Sequence, residues 1–135
     1  MLLAGDHFVN ADALAREIIG AAPHASLDVR TLLLPWPNVP FGPIAEVDEA
    51  SGSEDEMIAA IKDIEVCVTQ MAPFTRSVLA SANVLKLICV TRGGPVNVNL
   101  EAARERGIAV CAAPGRNAAA TAEHTMALLL ATLRN

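Results

Sequence analysis

The chain has 135 residues, a formal charge of −5, 53 % apolar residues and 19 % charged ones. That length suits one domain, or one domain and part of a second, and the positive mean hydropathy argues against disorder. Ten scattered Lys and Arg residues form no basic stripe, which argues against a nucleic-acid partner, while the low charged share hints at surface covered by a partner.

Leu2 to Val9 reads as an opening apolar strand. It lacks a basic leader and carries Asp6 early, so it is not a signal peptide. Asn10 can cap a helix whose apolar positions Ala11, Leu14, Ala15, Ile18, Ile19 and Ala22 follow helical spacing, with Gly20 and Pro23 ending it. Leu27 to Leu34 reads as a second strand. The four prolines from Pro35 to Pro43 predict an irregular loop that runs on through acidic residues to Ser53. Ser53-Glu54-Asp55-Glu56 is a capping box, opening a helix with Met57, Ile58 and Ile61 inward.

Ile64 to Thr69 is the third strand, Thr75 to Ala82 a short helix, and Lys86 to Thr91 the fourth strand. Asn99 caps a helix from Leu100 to Arg106 that Gly107 ends as a C′ glycine, and Ile108 to Ala112 is the fifth strand. Asn117 is placed to cap a last helix. There Ala122, Met126, Leu129, Leu130 and Leu133 make one stripe, and Ala127, Leu128 and Ala131 carry it round the other side. No stretch reaches the roughly 18 unbroken apolar residues of a membrane span.

Cys67, Cys89 and Cys111 recur every 22 residues, each near the end of a strand, with Cys67-Val68-Thr69 echoed by Cys89-Val90-Thr91. A βα unit has about this length, so the repeat predicts successive parallel strands with crossovers. The Ile, Val and Leu runs predict a sheet covered on both faces. The expected fold is α/β, a five-stranded parallel sheet of the flavodoxin-like kind over about 1–114. An odd number of cysteines within strands reads as reduced core residues of a cytoplasmic protein, and their long spacing disfavours a metal site.

Ligands of open parallel sheets bind beyond the carboxyl ends of the strands. Three loops are expected there: Gln70 to Phe74, Arg92 to Asn97, and Ala113 to Arg116. In Arg92-Gly93-Gly94-Pro95 the glycines bare N–H groups toward an anion and Arg92 can add a bidentate contact, or else the loop is a tight turn that needs positive φ. His7 faces this edge, though a surface or hydrogen-bonded histidine is the plainer reading. His124 lies on a packing helix, and His24 sits in a turn without signal. No Gly-x-Gly-x-x-Gly and no phosphate loop occur in the sequence. Thr69-Gln70 lacks the acidic residue of a receiver domain, and no Ser- and Thr-rich loop for a flavin phosphate follows the first strand.

The order of these parts closely resembles the N-terminal region of the NAD-dependent D-2-hydroxyacid dehydrogenases, which include D-3-phosphoglycerate dehydrogenases. The resemblance rests on Gly93-Gly94 with Asn97-Val98-Asn99-Leu100, on Ala113-Pro114-Gly115-Arg116-Asn117, on Ala122-Glu123-His124, and on the Ala72 to Arg76 turn. It covers the chain well from about Ile64 onward, and Met1 to Asp63 only by layout. Asn99 stands where the family often has Asp, and both cap a helix. The resemblance implies that Arg92, Gly93, Gly94 and Arg116 bind a small 2-hydroxy or 2-oxo acid. It implies that residues 1–114 are the substrate-binding domain, and 115–135 an interdomain loop and the first helix of a Rossmann domain. It also implies that the catalytic Arg, Glu and His and the NAD or NADP site fall beyond Asn135. No catalytic residue is therefore expected within the chain, and no tight cofactor binding. The alternative is a non-catalytic binding or dimerisation module, and in either case the last helix is expected to pair two copies or to aggregate.

Overall fold

In the computed structural model, which describes residues 1–36 and 41–134, five short apolar runs join into one parallel sheet. The elements in chain order are β1 (Leu2–Gly5), α1 (Ala11–Ala21), β2 (Arg30–Leu33), β3 (Gly42–Ile44), β4 (Val47–Ala50) and α2 (Glu54–Ala60). Then follow β5 (Val66–Thr69), α3 (Arg76–Ser81), β6 (Leu87–Val90), α4 (Leu100–Glu105), β7 (Ala109–Ala112) and α5 (Ala118–Leu133). The strand order β2-β1-β5-β6-β7 is the flavodoxin-like one, and direction of travel reverses between β1 and β5.

Alternation along the strands decides which face is core. Leu2, Ala4, Cys67, Ile88 and Val90 pack with Met57 of α2 and its C-cap Ile61, Val78 and Leu79 of α3, and Ala102 and Ala103 of α4. Phe74 is the largest side chain fully enclosed there. Each such large apolar group stabilises the fold by roughly 1.5–3 kcal/mol when buried. Polar caps fix the ends of these helices: Ser53, Thr75 and Asn99 each accept from a backbone N–H three residues on. Gly107, with φ of 68°, ends α4 as expected, and its N–H donates to Arg104 O.

Several expectations need correction. The opening strand stops at Gly5, because the Asp6 carboxylate captures the N–H groups of Phe8 and Val9 at 2.8 Å and turns the chain. Strand β2 begins only at Arg30 and lies exposed at the sheet edge. Within the expected irregular loop stands an antiparallel hairpin, β3–β4, turning at Ala45 (φ 48°). Pro43 is tolerated because it falls at the register shift between the Gly42–Ala50 and Ile44–Val47 pairs, where its missing N–H breaks no ladder bond. The middle of the proline-rich segment, 37–40, lies outside the described residues.

The sheet is not covered on both faces. Helix α1 packs on β1 and β2 without burying any residue fully, and α2 to α4 share the core face. Over β6 and β7 the second face is open, so Cys111 is exposed, Cys89 half-buried, and only Cys67 a core residue. The cysteine repeat marks unit length but not register: Cys89 pairs with Cys111, whereas Cys67 pairs with Ile88 and points the other way. Helix α5 has no buried residue, and Asn117 stands before it without a side-chain cap; the Ala118 N–H donates to Gly115 O instead. Among the described residues no helix is long and apolar enough to cross a membrane.

Candidate functional site

The three predicted loops do meet at the carboxyl edge of the sheet. Thr69, the last residue of β5, is buried; its hydroxyl donates to Ala4 O and accepts from Ala72 N, holding the turn into Met71 and Ala72. Phe74 then pairs with the loop after β6: its N–H donates to Asn97 O at 2.8 Å, and its carbonyl accepts from Asn99 N at 2.9 Å. The buried Asn97 side chain donates to Ala72 O at 2.7 Å. Two loops separated by a whole βα unit are thereby locked together. The third joins them through Ala113 N–H donating to Arg92 O at 2.7 Å.

The unforeseen hairpin braces this assembly. Asp48 N–H donates to Val96 O, and Ser51 N–H to Met71 O. Glu46, at the hairpin turn, accepts from Asn99 Nδ2 at 2.8 Å and from Arg76 N at 2.5 Å. The Asn99 contact first, and then the Arg76 N–H, hold its carboxyl below the usual range. From β4, Glu49 reaches Arg92, with Oε2 2.5 Å from Nη2. Arg92 is thus already paired, and its Nη1 rests 3.2 Å from Met71 Sδ. A guanidinium carries five N–H donors, so some remain for a ligand, but its charge is shared with Glu49.

Gly93 and Gly94 are open. A Cβ at either would meet nothing within 4 Å, and neither has positive φ. The tight-turn reading therefore loses its reason, since an alanine could adopt the same backbone. The N–H groups of Gly93, Gly94 and Val96 donate to no protein acceptor among the described residues. Successive bare N–H groups beside a cation suit a small anion. The loop segments Gln70–Phe74, Arg92–Asn97 and Ala113–Arg116 hold no His, Asp or Glu of their own, and the carboxylates beside them, Glu46 and Glu49, come from the hairpin.

The other singled-out residues are placed apart. Arg116 is exposed on the third loop, with no ion-pair partner among the described residues. His7 lines a cavity of about 470 Å³ with Leu33, Leu34, Pro35, Trp36 and Glu56, at the ends of β1 and β2. His124 is exposed on α5, not packed as expected. No group of three or more metal-ligating side chains occurs among the described residues. Glu46 and Glu49 were missed by the sequence reading, and Asn97, named there as part of a helix entry, was not foreseen as the buried link between two loops. Glu46 and Glu49 lay in a stretch read as an irregular loop, and nothing local marks Asn97 as buried.

Fold and loops together define an α/β domain with bare backbone N–H groups beside Arg92 at the carboxyl edge of a parallel sheet. The profile of the D-isomer specific 2-hydroxyacid dehydrogenase catalytic domain matches residues 41–133, and the chain belongs to that family. It is 39 % identical over 94 residues to a D-3-phosphoglycerate dehydrogenase of Methanocaldococcus jannaschii, covering 68 % of this chain and 18 % of that protein. It is 44 % identical over 81 residues to formate dehydrogenase 1 of Saccharomyces cerevisiae, covering 56 % of this chain and 21 % of the relative. The chain thus spans about a fifth of the length of these relatives. The cofactor (NAD+)-bound 3-phosphoglycerate dehydrogenase of Entamoeba histolytica superposes with a TM-score of 0.66 at 16 % identity, over 96 % of this chain and 37 % of that one. At that identity the likeness speaks to fold alone.

Proposed function

We propose that residues 1–114 are the substrate-binding domain of an NAD-dependent D-2-hydroxyacid dehydrogenase of the cytoplasm, and that 115–135 lead into its nucleotide-binding domain. The ligand is a small 2-hydroxy or 2-oxo acid, of the 3-phosphoglycerate kind or smaller. Its carboxylate sits on the N–H groups of Gly93 and Gly94, with Arg92 beside it and Arg116 reaching from the adjoining loop. The observation that carries this reading is the pair of glycines that neither conformation nor packing requires, next to a cation. A nicotinamide cofactor bound elsewhere in the enzyme would supply the hydride chemistry. The residues present do not fit the dinucleotide itself: the sequence has no Gly-x-Gly-x-x-Gly to take a pyrophosphate on a helix N-terminus. Their part is to bind and orient the acid. Titration of the ¹⁵N-labelled chain with glycolate, lactate and 3-phosphoglycerate tests this: amide shifts should cluster at Gly93, Gly94 and Val96, and shifts clustering elsewhere refute it.

A second reading, a non-catalytic pairing module, is favoured by one observation. Met126, Leu128, Leu129, Leu130 and Leu133 of α5 are each more than half exposed. A helix apolar on all sides is built for burial, and a second copy of the same helix would supply it. Sedimentation at tens of micromolar tests the pairing, since a stable monomer leaves no role for it.

A further inference from the structure

Cys89 and Cys111 stand directly opposite each other on β6 and β7, on the open face of the sheet. Cys67, one register step away on β5, points into the core and is buried. Neighbouring strands run ~4.8 Å apart, inside the ~4.4–6.8 Å that a disulfide tolerates between Cα atoms. Parallel strands in register project their side chains the same way, so the two Cβ atoms start near the strand spacing. A disulfide wants them about 3.8 Å apart. The bond can therefore close without a register slip, but only by drawing the strands together. A bond under that tension is the reducible, regulatory kind and not a permanent staple.

We propose that Cys89 and Cys111 are a reversible redox pair, which a small disulfide oxidant such as glutathione disulfide closes into an intrachain bond. Cys111 is the entry point, because it is the exposed partner. Its thiolate attacks one glutathione sulfur and the first glutathione thiolate leaves. Cys89 then loses its proton to solvent, attacks Cys111 Sγ, and releases the second glutathione. Two protein thiols are oxidised and one oxidant disulfide is reduced to two thiols. In the reduced pair burial, and then the Cys111 thiol beside it, push the Cys89 thiol up to about 12; once Cys111 carries glutathione burial alone still holds it up, so this second step is slow at neutral pH and quickens as pH rises.

The pair sits below the joint between two candidate loops. Arg92 follows Cys89 by three residues, Ala113 follows Cys111 by two, and Ala113 N–H donates to Arg92 O. Closing the disulfide shifts that joint and, resting on the anion-site reading above, changes how the acid is held.

The test oxidises the whole chain with glutathione disulfide at pH 8, traps remaining thiols with N-ethylmaleimide after denaturation, and maps unreduced tryptic peptides. The expected product carries one maleimide, on Cys67, and links the peptide Leu87–Arg92 to Gly107–Arg116, with dithiothreitol reversing it. Cys89→Ser should stop at a glutathione adduct on Cys111, and Cys111→Ser should leave Cys89 unmodified. A stable adduct on Cys111 of the wild-type chain, or Cys111 joined to Cys111 of another copy, overturns the proposal. Amide shifts at Gly93 and Ala113 report the coupling separately, so a closed disulfide with unmoved loop amides refutes only the link to the acid site.

Discussion

Replacing Gly93 or Gly94 by alanine separates a glycine kept for a ligand from one kept for the fold. Neither position has positive φ, and an added methyl meets nothing within 4 Å. The substitution therefore strains nothing, and it narrows the unfolded ensemble, which stabilises by about 0.4–1 kcal/mol. Binding should move the opposite way. A methyl on the loop stands between its N–H groups and an approaching carboxylate. A hydrogen bond to a charged group contributes roughly 1.5–3 kcal/mol, and every 1.4 kcal/mol is about tenfold in affinity. Losing one such bond weakens the acid by roughly ten- to a hundredfold. Thermal unfolding gives the first quantity, and titration followed by ¹⁵N amide shifts the second. If both variants bind the acid as tightly as the parent chain, the backbone cradle is wrong. If both unfold several degrees lower, the glycines serve the fold and the argument from their open surroundings fails.

Glu49→Gln leaves a hydrogen-bond partner for Arg92 but removes the competing charge, so acid affinity should rise several-fold and depend more steeply on salt, as read by titration at two ionic strengths. The Glu46 carboxyl, held low by Asn99 and then by the Arg76 N–H, contributes stability that is full above the ordinary carboxylate range and is lost as pH falls through its lowered value. Hairpin amides should lose hydrogen-exchange protection below about pH 4, and Glu46→Gln should flatten that dependence. Burying the exposed parts of the five large α5 side chains would contribute about 4–9 kcal/mol, so the chain should sediment as a dimer or aggregate, and Met126→Lys with Leu133→Lys should restore a monomer. Calorimetry with NAD should show no micromolar site, because without a pyrophosphate cradle the remaining contacts support at most millimolar binding, worth about 4 kcal/mol.

The five parallel strands were readable because each is a short apolar run between turn signals, and the βα spacing leaves few topologies. What composition could not carry was register. Cysteines every 22 residues suggest three equivalent positions, yet a one-residue offset between β5 and β6 sends Cys67 to the core and Cys89 to the open face. Since side chains alternate, a one-residue step is the difference between a buried thiol and an accessible one. The hairpin was hidden for a related reason. Prolines argue against regular structure only where an N–H is needed, and the register shift between Gly42 and Ile44 supplies a place where none is.

The candidate site divides along the same line. Gly93 and Gly94 could be singled out because what they offer is local: two adjacent residues without side chains bare two adjacent N–H groups. The state of Arg92 is not local. Its partner Glu49 lies 43 residues earlier, on a strand that only tertiary packing reveals, and the pairing turns an apparently free cation into a shared one. That changes the chemistry expected of the loop. An unpaired guanidinium would draw any anion by charge, with little regard for shape. With Glu49 holding it, more of the attraction falls to the backbone donors, whose positions are fixed by the Phe74–Asn97 contacts and by Glu46 on the neighbouring helix starts. Recognition by fixed N–H groups is directional, so it selects a carboxylate by geometry. A binding loop serving many small acids would do better with Arg92 free, so in the acid site proposed above the Glu49 pairing is the feature that argues most directly for selectivity.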